Sequence, residues 1–162
     1  MATEQARDIF FRDMLRDISG ALEDVVGLDE AEGYFAVVGA LMGERIWNSY
    51  QSERTEPITC ADVPDLLVDL KDRIGGTFRI ESQSAQSATF CNGACPFGDR
   101  VAGRQSLCMM TSNVFGFIAA EANGYARVDL EKTIAAGDGM CRVTVHFDKD
   151  TEGHGREYYA QP

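Results

Sequence analysis

The chain has 162 residues, 44% apolar and 25% charged, the proportions of one globular domain large enough to bury its own core. Its 26 acidic against 15 basic residues give a net charge of −11 with no Lys/Arg block, so the phosphate-neutralising footprint of a nucleic-acid binder is missing. No apolar run approaches the roughly 18 residues of a membrane span, and no secretory segment opens the chain. These features predict a single cytoplasmic domain over 1–162, with its core within about 9–147, that touches neither nucleic acid nor membrane directly.

Residues 4–26 carry Ile9, Phe10, Met14, Ile18, Leu22, Val25 and Val26 at the three-to-four spacing of an amphipathic helix, ended near Gly27. Asp29 followed by Glu32 has the pattern of an N-cap with its reciprocal carboxylate, and Phe35, Val38, Met42, Ile46 and Tyr50 continue a second helix to about Ser52. Gly39 and Gly43 stand four apart within it, each costing about 1 kcal/mol of helix propensity relative to alanine. That predicts close packing against another backbone, either the first helix or a second copy of the chain. The helix is also apolar around more of its circumference than one core face requires, which predicts a homodimer built on the first two helices.

Thr59 with Asp62 is a second capping signal, and Val63, Leu66, Leu67, Leu70 and Ile74 make a third, shorter helix before Gly75-Gly76. From Thr77 the period changes to two: Phe78 and Ile80 alternate with Arg79 and Glu81, then Ala88 and Phe90 alternate with Thr89 and Cys91, an antiparallel hairpin. Leu107, Met110, Val114, Phe117 and Ile118 form a fourth helix closed by Asn123-Gly124, with Cys108 near its start. Tyr125 to Ile134 reads as a strand, and Cys141, Val143, Val145 and Phe147 alternate with Arg142, Thr144 and His146 in another, which turns Cys141 toward the core. The polar tail 149–162 carries no element assignment. The element order predicts an α+β fold with an antiparallel sheet packed on helices.

Four of the five cysteines fall in Cys91-Asn92-Gly93-Ala94-Cys95-Pro96-Phe97-Gly98, Cys108 and Cys141. In a reducing compartment a disulfide framework is disfavoured, leaving metal ligation, redox chemistry, or small buried hydrophobes. Cys-x3-Cys is not a standard zinc spacing. A radical-SAM motif fails because its third cysteine would fall at Gly98. Nucleotide loops, a Gly-x-Ser-x-Gly elbow and a His-Glu-x-x-His pair are all missing, so no catalytic constellation is predicted. Cys91 with His146 is one available Cys–His pair, but His146 lies on the polar face of its strand. Cys60, at the third helix's first turn, is read as a tolerated core thiol. If Cys91, Cys95, Cys108 and Cys141 converge, four thiolates in a low-dielectric interior require a cation, and Cys95-Pro96 suits an iron–sulfur cluster better than zinc.

Cys95-Pro96-Phe97-Gly98, Cys108 and Gly137-Asp138-Gly139-Met140-Cys141-Arg142-Val143 resemble the sensor region of the Suf-operon iron–sulfur repressors and the methanogen output domain family. More distantly, the N-terminal helices and the Gly-Asp-x-x-Cys strand resemble 4-vinyl-reductase domains. The resemblance implies a 4-vinyl-reductase-like fold with N-terminal helices available for dimerisation, and cluster ligands at Cys95, Cys108 and Cys141 with Cys91 as the natural fourth. It further implies a non-catalytic sensor binding a cluster, expected as 4Fe-4S, that passes its state to a protein partner, since the repressors' winged-helix half has no counterpart here. The alternative is a zinc-stabilised or metal-free module holding a small apolar ligand, for which Phe90, Met109, Met110, Phe115 and Phe117 are the candidate lining.

Overall fold

A computed structural model describes residues 2–162. Helices α1 (Ala2–Val26) and α2 (Leu28–Ser52) are separated by Gly27 alone, whose φ of 85° turns the chain at once from one helix into the next. Asp29 is therefore not the N-cap: helix α2 starts one residue before it, and Asp29 and Glu30 stand in the first turn, where carboxylates favour the helix dipole. The Thr59/Asp62 capping box forms as expected, opening a short 3-10 turn (Cys60–Asp62) that leads into α3 (Val63–Arg73).

Strands β1 (Phe78–Gln83) and β2 (Ser87–Asn92) form the predicted hairpin. Helix α4 (Cys108–Asn123) ends on Gly124 in the left-handed region, and is followed by β3 (Tyr125–Lys132), β4 (Cys141–His146) and β5 (Arg156–Tyr159). The sheet is wholly antiparallel in the order β1-β2-β4-β3-β5. Strand β5 lies in the tail that periodicity left unassigned. Tyr158 ties it to α4: an added Cβ at Gly116 would fall 2.1 Å from the Tyr158 ring, and the Tyr158 hydroxyl lies 2.8 Å from Ser112 Oγ.

One face of the sheet carries the core. Ala88 and Phe90 of β2, Val143 and Val145 of β4 and Val128 of β3 pack with Phe115 and Ile118 of α4 and Leu67 of α3, and Phe115 meets the Phe78 and Phe90 rings edge to face at 5.6 and 5.7 Å. The opposite face is polar, with Thr89 and Thr144 hydroxyls 2.9 Å apart. Gly39 and Gly43 seat α2 on α4, since added Cβ atoms would come within 2.7 Å of Asn113 Cβ and 2.8 Å of Phe117 Cβ. The close neighbour that the glycines demand is α4, not α1 and not a second copy.

Helix α1 lies outermost, with only Ser19 and Gly20 buried among its described side chains. It is fastened by polar groups to the segment linking Cys95 to Cys108. Arg16 Nη1 donates to the Arg100 and Ala102 carbonyls at 2.6 and 2.7 Å, Asp13 pairs with Arg100, and Glu23 accepts from Ser106 Oγ at 2.6 Å and pairs with Arg104. Burial works against the Glu23 carboxylate, but the Ser106 and Ser19 hydrogen bonds outweigh it and lower its pKa. Ile9, Phe10, Phe11, Met14 and Ile18 of α1 and Tyr34, Val37, Val38 and Leu41 of α2 remain exposed. No helix among the described residues is long and apolar enough to cross a membrane.

Candidate functional site

Several chain ends meet at one end of the sheet. There β2 stops at Asn92, β4 starts at Cys141 directly opposite it, β1 starts at Phe78 on Asn92's other side, and α4 starts at Cys108. The Cys95-Pro96-Phe97-Gly98 turn, closed by the Gly98 amide donating to the Cys95 carbonyl at 2.8 Å, folds over this junction. Between them is a small cavity of about 30 Å³ lined by Cys95, Cys108 and Cys141, with Phe97, Leu107 and Val143 among its apolar walls. That is room for one or two water-sized groups.

Three of the four anticipated thiols therefore share one cavity. Cys91 does not reach it. Phe90 and Asn92 face the core side of β2, and alternation turns Cys91 to the other side, between Arg79 and Arg142 on the neighbouring strands. There it is 4% exposed. His146 shares that outer face but pairs with Ser87, four residues along β2 or about 13 Å from Cys91, and the two form no Cys–His couple. Its ring is largely covered, near Asp129, and burial lowers its pKa. Cys60 lies apart from the cavity, its thiol pushed up by burial. Phe90, Met109, Met110, Phe115 and Phe117 do not line the cavity; Phe90 and Phe115 belong to the main core instead.

Cys141 Sγ accepts from the Ile134 amide at 3.4 Å, and the Phe97 amide and the Thr133 hydroxyl act to lower the pKa values of Cys95 and Cys108. These donors favour anionic sulfur, and so does the N-terminus of α4 at Cys108. Burial prevails in the metal-free protein. It pushes the Cys108 thiol up to about 12, with repulsion from Cys141 and Cys95 adding to it, and raises Cys95 in the same way. Among the described residues no three His, Cys, Asp or Glu side chains stand in ready metal-holding geometry, so a metal would have to draw the sulfurs inward.

Sequence reasoning missed Lys71. It is 5% exposed, and Nζ donates to Thr111 Oγ1 at 2.8 Å while lying 5.1 and 5.2 Å from the ring centroids of Phe78 and Phe115. Burial lowers its pKa to about 8, against the pull of Cys95, Cys141 and Cys108. The available signal was its place in the Leu67, Leu70, Ile74 stripe of α3, four residues after Leu67. A lysine there is either tolerated at the rim or drawn inside.

Helices stacked on one face of a five-stranded antiparallel sheet, with a thiol-lined cavity at the sheet's end, define a small α+β domain of a recurrent type. The same fold occurs in the phenol-responsive sensory domain of the transcription activator PoxR, crystallised with phenol (TM-score 0.65, 14% identity, covering 83% of this chain and 73% of that one). It occurs also in a trafficking protein particle complex subunit 3 from Naegleria fowleri covalently bound to palmitic acid (TM-score 0.58, 12% identity, 88% and 95% covered). The chain belongs to the methanogen output domain 1 family, whose model matches residues 14–146. No curated protein matches it in sequence.

Proposed function

We propose that this chain is a sensory or regulatory domain whose input is a thiophilic metal centre held by Cys95, Cys108 and Cys141. The observation that carries the reading is the convergence of three half-buried thiols, from the 95–98 turn, the start of α4 and the start of β4, on one small cavity. Burial holds the Cys95 and Cys108 thiols above their ordinary pKa, and a bound metal supplies the charge that compensates their thiolates. The cavity's size favours a single ion such as zinc, with its fourth position taken by a small ligand; a four-iron cluster needs the 95–98 turn to move outward. The state of the site has a route outward, because the segment joining Cys95 to Cys108 is the one to which Arg16, Asp13 and Glu23 fasten α1. The exposed apolar faces of α1 and α2 suit a second copy of the chain, with the output passing on to a protein partner.

A second reading has support from the neighbours, one crystallised with phenol and one covalently bound to palmitic acid. It takes the apolar walls as a binding site for a small apolar ligand, which at about 30 Å³ must open before anything of that size enters.

Anaerobic purification followed by metal and acid-labile sulfide analysis separates the outcomes. Stoichiometric zinc supports the single-ion centre, and iron with sulfide supports the cluster. A chain that takes up neither, even after reconstitution, overturns the metal reading and leaves the apolar-ligand one.

A further inference from the structure

Lys71 is a cation in the core with no carboxylate within ion-pairing distance among the described residues. Its neighbours are one hydroxyl, Thr111, and two aromatic rings, Phe78 and Phe115. A hydroxyl and ring faces solvate an ammonium only partly, and a buried charge is costly until it is paired. Thr111 and Phe78 both line the thiol cavity, so Nζ stands behind its lining, bonded to one of these residues and over the ring of the other. The side chains of that cavity able to carry negative charge are Cys95, Cys108 and Cys141.

We propose that Lys71 is the resident counter-charge of the three-thiol site, fitting it to a centre whose metal and ligands together carry one negative charge. The inference rests on the metal reading above. Three thiolates and one divalent ion leave a single negative charge, which the ammonium cancels. Cys95, Cys108 and Cys141 would hold the ion as thiolates, each giving up its S–H proton to solvent and donating a sulfur electron pair to the metal. The charge rule also sets the fourth ligand, since a neutral donor preserves the balance and an anionic one upsets it. Lys71 acts here as a positioning residue through the centre's charge, not as a ligand.

The test is calorimetric titration of the metal-free, reduced full chain with Zn²⁺ at neutral pH, in buffers of different ionisation enthalpy, which gives affinity and protons released together. Wild type is expected to release about three protons per Zn²⁺, one for each ligating thiol. Lys71→Met removes the charge and keeps the apolar stem; affinity should fall by about 10- to 100-fold, the range for outer-shell partners, and proton release should fall toward two as one sulfur stays protonated. Lys71→Gln keeps a donor for Thr111 but drops the charge, and should behave like Lys71→Met. Circular dichroism checks the fold of each, and Lys71→Gln decides the matter should Lys71→Met fail to fold. Unchanged affinity and proton count in a folded Lys71 variant overturns this inference alone. Failure of the wild type to bind Zn²⁺ overturns the metal reading and this inference with it.

Discussion

Asn92, and not Cys91, stands opposite Cys141 across the β2–β4 ladder. Because side chains alternate along a strand, that one register assigns Cys91 and Cys141 to opposite faces of the sheet. Cys91 then behaves as a small buried hydrophobe on the polar side. Cys91→Ala is expected to cost about 1 kcal/mol of stability in denaturant titration, the range for a small buried truncation, with no change in the properties of the thiol cavity. A loss of metal binding in this variant would return Cys91 to the ligand set.

The glycines of α2 make a different prediction from the one their spacing first suggests. Leucine at Gly39 or Gly43 would drive side-chain atoms into Asn113 or Phe117 of α4, at a cost of about 1–3 kcal/mol or more. Urea unfolding should therefore shift before any change in self-association appears in sedimentation. The reverse order would mean that these glycines face a second copy after all.

The self-association proposed above would use instead the outward side of α1 and α2. Phe10 and Val37 are 62% and 63% exposed, and a wide apolar surface on two adjacent helices marks an interaction face. The wild type is expected to sediment as a dimer and Phe10→Asp/Val37→Asp as a monomer with the same circular dichroism. A wild type that stays monomeric at high concentration refutes the proposal.

The capping box that opens α3 gives the protein an acid-sensitive joint. Asp62 accepts from the Thr59 amide at 2.8 Å, from the Thr59 hydroxyl at 2.7 Å and from Arg54 at 2.9 Å, and these bonds hold its pKa down to about 2. A carboxyl depressed in the folded state contributes stability that is complete above its unfolded value, near pH 4, and is lost as pH falls toward 2. Thermal melts from pH 5 to 2 should fall more steeply for wild type than for Asp62→Asn. Parallel curves would show that the box contributes nothing to the pH dependence.

Much of this architecture was legible because the apolar periods were clean: the four long helices, the β1–β2 hairpin and the inward face of β4 follow from spacing alone. Strand β5 was not, since Arg156-Glu157-Tyr158-Tyr159 has too little alternation to signal a strand and is held by pairing with β3 and by Tyr158 on Gly116. The amphipathic stripe of α1 was read correctly as a stripe, but most of it faces outward, because α1 is held by Arg16, Asp13 and Glu23. In the site, alternation already put Cys91 with Thr89 and Cys141 with Val143. The expectation of four converging cysteines overrode that parity. Lys71 stayed hidden because lysines are rarely found inside, and only the junction of α3, β1 and α4 shows why this one is.

The most direct test of the central claim is metal stoichiometry across five single variants purified anaerobically: Cys60→Ser, Cys91→Ala, Cys95→Ser, Cys108→Ser and Cys141→Ser. Wild type, Cys60→Ser and Cys91→Ala are expected to hold one centre per chain, while each of the other three loses it or binds it at least tenfold more weakly. Full occupancy in Cys95→Ser, Cys108→Ser and Cys141→Ser alike would contradict the account.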